Sequence, residues 1–223
     1  MAEAKLSSAG SPWSRIERVT FMAALIVAGE AVFSLPFHVA RFFRPTVLEV
    51  FALTNTELGA AQAVYGVVAM LAYFPVGPLA DRFPALILLT ASLLATSVGG
   101  LFFASFPPYR GLSLVFGFCG LTTILLFWGA LIRATREWGG RDRQGRAFGI
   151  LDGGRGLFAA VLAAAAVAAF QQLMPEDPMT ATAAVRARAL RGIIYMYTGV
   201  TAGAGVLCWL FVPERRESLS RGE

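Results

Sequence analysis

Apolar residues gather into six long stretches separated by short polar segments. They cover roughly 19–43, 58–78, 84–104, 111–133, 147–171 and 191–212. A helix that crosses the hydrocarbon core of a bilayer needs about 20 mostly apolar residues. The pattern therefore predicts six membrane spans, the far end of the first falling between Phe43 and Val50. Turn-forming residues punctuate the pattern. "FPVGPLADRFP" falls between the second and third stretches, "SFPPYRG" between the third and fourth, and "REWGGRDRQGR" between the fourth and fifth. "QQLMPEDPMT" follows the fifth, and 181–190 predicts a short helix leading into the sixth. The expected organisation is an N-terminal tail (1–18), a six-helix domain (19–212) and a C-terminal tail (213–223).

Composition strengthens this picture. The chain is 57% hydrophobic and only 15% charged, with mean hydropathy +0.64. A soluble domain carries about 25% charged residues. The net charge of +5 raises nucleic acid as a partner, but the basic residues cluster between the apolar runs. That distribution sets membrane topology rather than a nucleic-acid stripe. Counted by side, twelve Lys and Arg lie with the two termini and six lie opposite, with Arg155 inside a span. The excess predicts a cell-membrane protein with both termini in the cytoplasm. Residues 1–18 lack the short apolar core and cleavage site of a signal peptide, so they read as a retained tail.

Candidate chemistry is sparse. Cys119 and Cys208 sit within apolar runs and read as packing residues. There is one histidine and no metal-ligand or Ser/His/Asp spacing, and "GGRDRQGR" and "GGRG" lack the Lys-Ser/Thr ending of a phosphate loop. No metal, cofactor or enzymatic activity is expected. The fifth span is rich in small residues ("AAVLAAAAVAAF", 159–170), which favour close helix packing in lipid.

Three motifs carry a family resemblance. "GPLADRFP" (Gly77–Pro84) resembles the G-x-x-x-D-R-x-G loop of the major facilitator superfamily, with Gly77, Asp81 and Arg82 matching and Pro84 in place of the second glycine. Trp128-x4-Arg133-x4-Trp138-x6-Gly145 resembles the organophosphate:phosphate antiporter branch of that superfamily. "LTNTELG" (Leu53–Gly59) resembles the segment that opens the second helix there. The resemblance implies an all-α, multi-pass bundle of six helices arranged as two inverted three-helix repeats, forming the amino-terminal half of a twelve-span secondary transporter. It further implies alternating access around a midplane site. The partners it implies are the lipid bilayer, a small polar, anionic solute, and a second six-helix half or a second copy of the chain. The competing reading is a truncated, non-transporting membrane subunit that pairs with or regulates a full transporter.

Ionisable residues inside a span are functional candidates by default. Glu30 lies near the middle of the first span, on a helical stripe with Ser34, Phe37, Arg41 and Pro45, and His38 lies beside that stripe. Pro36 is expected to bend the helix. Counting back from Gly59, the resemblance places His38 near a substrate-binding arginine, with Arg41 as the competing candidate. It places Arg155 at a cavity histidine, ~12 Å into the fifth span at 1.5 Å per residue. A guanidinium offers a planar donor fork for phosphate or carboxylate, while an i,i+3 pair with Asp152 is its ordinary alternative. Within "DGGRGL" (152–157) the glycines are expected to let the fifth span approach its neighbours closely. Tyr65 and Tyr73 of the second span are further cavity candidates, equally readable as packing aromatics, and Trp128 reads as structural. For Gly77, Asp81 and Arg82 the resemblance implies a cytoplasmic latch, with Arg133 or Arg136 as a charge partner.

Overall fold

The structure is a computed structural model that describes residues 14–175 and 180–213. Among these residues six helices are long and apolar enough to cross a membrane: Arg15–Phe42, Asn55–Arg82, Ala85–Phe103, Tyr109–Gly139, Gln144–Leu173 and Ala183–Phe211. They are numbered here as the first to sixth spans. A short helix, Arg44–Val50, links the first two. The 1–13 and 214–223 parts of the expected tails lie outside the described residues.

Local chemistry sets the ends of these helices. Ser14 and Thr54 form reciprocal capping boxes with Glu17 and Glu57 at the starts of the first and second spans. Each box satisfies amide groups that an open helix end leaves without partners. Thr182 accepts from the Val185 amide at the start of the sixth. That span is one continuous helix, so the short helix expected over 181–190 is simply its first turns. Gly140, at φ 64°, ends the fourth span in a conformation that side chains other than glycine disfavour.

The second span runs longer than its apolar stretch predicts. "GPLADR" is not a connecting loop but the final turns of the helix, which continues past Pro75 and Pro78 to Arg82. Only Phe83 and Pro84 separate it from the third span.

Two segments widen into π-helix, Ser34–His38 in the first span and Leu121–Trp128 in the fourth. In the first, Pro36 has no amide hydrogen and its ring crowds the carbonyl four residues back, so the hydrogen-bond ladder slips. In the second, the Thr122 and Thr123 hydroxyls donate to the Cys119 carbonyl, at 3.2 and 2.7 Å, and compete with the backbone.

The third and sixth spans form the central pair. The first packs on the sixth and the fourth on the third, while the second packs on the fourth and the fifth on the first. An inversion that exchanges spans one to three with four to six preserves this pairing, as expected of two inverted three-helix repeats. The second and fifth spans are the least covered. In their most apolar windows 22% and 11% of residues are buried, against 44% or more in the other four.

The core divides into two large apolar clusters, with a small third one of Ala69, Ala72 and Ile124 between the second and fourth spans. One lies towards the termini and includes Phe21, Leu25, Leu89, Phe127, Leu131 and Cys208. The other lies towards the opposite end and includes Leu35, Val39, Leu112, Phe116, Ile194 and Tyr197. Polar side chains gather between them. Ser92 donates to the Thr122 carbonyl at 2.8 Å, the Thr96 and Thr122 hydroxyls meet at 2.8 Å, and Thr201 donates to the Ala31 carbonyl at 2.9 Å. In hydrocarbon each of these groups needs such a partner. The candidate site lies in this middle layer.

Candidate functional site

Arg155 projects from the fifth span onto the first. Its Nε donates to the Gly29 carbonyl at 3.0 Å. One terminal nitrogen lies 3.8 Å from the Glu30 carboxylate and the other 3.3 Å from Asp152. The guanidinium also sits over the rings of Phe33 and Trp128, at 5.8 and 5.9 Å. Gly29 makes this approach possible, because a Cβ there would stand 2.9 Å from the arginine stem. The aromatic faces lower the cost of holding a cation in this layer.

Glu30 is the hub. One carboxylate oxygen faces Arg155 and the other lies 3.1 Å from His38 Nε2. Glu30 and His38 are eight residues apart, which on a regular α-helix leaves them about 80° apart around the axis and ~12 Å apart along it. The π turn at Ser34–His38 takes up extra residues and swings the imidazole onto the carboxylate side. His38 also meets Phe42 and Tyr197 edge-to-face, at 5.3 and 5.7 Å. Its Nδ1 and the Tyr197 hydroxyl are buried with no hydrogen-bond partner among the described residues. Buried polar atoms of this kind mark a place where a further polar group is accommodated at little cost.

The other candidates divide. Arg41 is exposed and lies apart from Glu30, beside the Phe42 ring at 5.7 Å. Tyr65 is partly buried, shares a 2.8 Å hydrogen bond with Thr123 and meets the Phe37 ring at 4.9 Å. Tyr73 is half-exposed. The stripe of Glu30, Ser34, Phe37, Arg41 and Pro45 is broken by the π turn, for Ser34 is buried against the Ala31 carbonyl while Phe37 is exposed. Asp152 is largely exposed at the rim and holds Arg155 through the expected i,i+3 pair. Of the glycines in "DGGRGL", only Gly154 makes a close approach, to Ile26 of the first span; Gly153 and Gly156 face open space.

At the termini end the motif residues brace the helices. Arg133 donates to the Ala80 carbonyl at 2.7 Å and pairs with Glu137 at 3.0 Å, so it grips the backbone beside Asp81 rather than its carboxylate. Asp81, Arg82 and Gly77 are exposed, and no ion pair reaches Asp81 among the described residues. Trp138 donates to the Arg18 carbonyl at 2.7 Å, and the Arg18 guanidinium covers its ring at 4.7 Å. Glu137, Gly29, Phe33 and Tyr197 belong to these contacts without any sequence signal of their own. A Trp128 role beside the guanidinium was legible only as a motif position.

A six-span bundle with a charged cluster between its apolar layers is one half of a familiar transporter plan, and comparison with known proteins decides the matter. The family model described as Major Facilitator Superfamily matches residues 19–223. The chain belongs to the major facilitator superfamily. It is 27% identical to the inner membrane protein YqcE of Escherichia coli (strain K12) over 86% of this chain and 43% of that one. It is 32% identical to the inner membrane protein YihN of the same organism over 66% of this chain and 34% of that one. The chain thus spans less than half the length of either relative. Membership in this superfamily makes it a multi-pass membrane protein of a transporter family.

Proposed function

We propose that the chain is one half of a secondary transporter that moves a small polar anion by alternating access, with Arg155 as the anion handle. The observation that carries this reading is the Arg155–Glu30–His38 cluster, placed between the two apolar layers of the bundle. Arg155 offers a fork of donors, and its present partners are the Gly29 carbonyl and two carboxylates. An incoming carboxylate or phosphate competes with Glu30 for the same nitrogens. Proton uptake by Glu30 weakens that competition, so anion binding and protonation favour each other, and His38 at 3.1 Å is the neighbour that exchanges the proton. The Trp128–Gly145 motif supports the organophosphate:phosphate antiporter branch, where anion exchange replaces proton coupling. Both termini lie in the cytoplasm in this reading, in line with the basic residues on their side.

The uncovered faces of the second and fifth spans support pairing with a second six-helix bundle. The decisive experiment is counterflow of radiolabelled phosphate esters and small carboxylates in proteoliposomes. Wild-type chain co-reconstituted with a second six-helix half should exchange anions, and Arg155→Ala should not. Absence of anion flux with a second half or with the chain self-paired overturns the transporter reading in favour of a non-transporting subunit.

A further inference from the structure

A groove of about 450 Å³ opens at the end of the bundle opposite the termini, between the first span, the linking helix and the second span. It is lined by Phe37, Ala40, Arg41, Arg44 and Gln62. Arg41 lies one helical turn beyond His38, yet its guanidinium is turned away from the Glu30 cluster and contacts only the Phe42 ring among the described residues. Arg44 commits its Nε to the Asn55 side chain at 2.8 Å, which orients the guanidinium and leaves its terminal nitrogens without an acidic partner. The described carboxylates at this end are engaged elsewhere. Glu49 pairs with Arg186, and Glu57 caps the second span through the Thr54 amide and hydroxyl. Two guanidiniums, an amide and an apolar wall thus face one space with no acidic partner among the described residues.

We infer that this groove is a capture site for a soluble phosphate- or carboxylate-bearing anion, separate from the Arg155 cluster. Two planar forks suit the paired oxygens of such groups, and Gln62 adds a neutral donor. The volume falls in the range of small-ligand sites. Paired positive charge at the mouth of a low-dielectric bundle also raises the local concentration of anions. The site rests on its own residues and does not require Arg155 to contact solute. Where the transporter reading holds, it delivers anions to a deeper site. Where that reading fails, the groove still binds them. A lipid headgroup carries the same phosphate chemistry, and the test separates it from a free anion.

The full chain is placed in nanodiscs of uncharged phosphatidylcholine and treated with phenylglyoxal, and modification of each arginine is mapped by peptide mass. Inorganic phosphate is added at constant ionic strength. Arg41 and Arg44 should lose most of their modification saturably, and the exposed Arg82 and Arg136 should not. The protection should persist in Arg155→Ala. In that background the heat of phosphate binding should vanish in Arg41→Gln/Arg44→Gln. Unchanged modification, or equal protection of Arg82 and Arg136, overturns the inference. So does protection that needs phosphatidylglycerol in the disc, which assigns the groove to a headgroup. Loss of protection in Arg155→Ala overturns its separateness.

Discussion

Arg155 is held as much by a backbone carbonyl as by charge. Its stem runs close beside Gly29, its Nε donates to the Gly29 oxygen, and its guanidinium carbon sits 5.8 and 5.9 Å from the Phe33 and Trp128 ring centres. Gly29→Ala puts a methyl group into that stem, and overpacking of this kind costs about 1–3 kcal/mol unless the side chain moves. The expected outcome is a displaced guanidinium and weakened anion binding, read by titration calorimetry, with circular dichroism unchanged. Glu30→Gln keeps the shape of the cluster but removes the competing charge. Anion affinity should then rise about fivefold, the equivalent of an ion pair worth ~1 kcal/mol. Glu30, His38 and Arg155 were all legible in the sequence, because charges inside apolar runs stand out. Their mutual contacts were not. Helical spacing on the first span puts Arg41 on the Glu30 stripe with His38 beside it, and the π turn brings His38 onto the carboxylate. Gly29 and Tyr197 carry no signal at all in an apolar run, since their importance lies in what another helix brings to them.

At the scale of elements, the two π segments lie on the spans that frame the site. One ends at His38 and the other at Trp128. Hydrophobic periodicity reports which faces are apolar, and it is silent about a hydrogen-bond ladder that slips by one residue. Only Pro36 hinted at the first of these segments, and the expected bend is realised as a widened turn. The six spans themselves were legible because length and apolarity suffice to mark them. The extent of the second was not, because two prolines and a glycine look like a loop in water but persist inside a membrane helix. Close packing of the second and fourth spans depends on Gly120, where a Cβ would stand 2.6 Å from the Tyr65 carbonyl. Backbone cannot yield as a side chain can, so Gly120→Ala should destabilise the bundle by about 1–3 kcal/mol. The corresponding change at Gly153, which lies inside a helix and faces open space, should hold or slightly raise the melting temperature of the isolated chain. Melting curves of the two variants in the same detergent check this contrast.

Topology and partnership belong to the scale of the whole molecule. Cys119 and Cys208 are buried, so single cysteines introduced into loops can be read against a silent background. With a membrane-impermeant thiol reagent on intact cells, Arg110→Cys should label and Arg141→Cys should not. The opposite result would invert the proposed orientation. The sparse cover on the second and fifth spans was not visible in composition, because a lipid-facing helix and a partner-facing helix are equally apolar. The division of the core into two apolar layers with charge between them is likewise a property of the assembled bundle. That arrangement places Arg155 at the centre of the functional reading.

The most direct measurement is the thermal shift of the full chain, in one detergent, on titration with phosphate esters and small carboxylates. A ligand that binds only the folded state raises the melting temperature in proportion to its occupancy. In the Arg41→Gln/Arg44→Gln background, which removes binding at the groove, the chain should show a saturable shift with anions and none with neutral sugars or cations, and adding Arg155→Ala should abolish it. In that background, an Arg155→Ala protein that shifts as far as its parent, or a parent that responds equally to neutral solutes, would contradict the assignment of Arg155 as the anion handle.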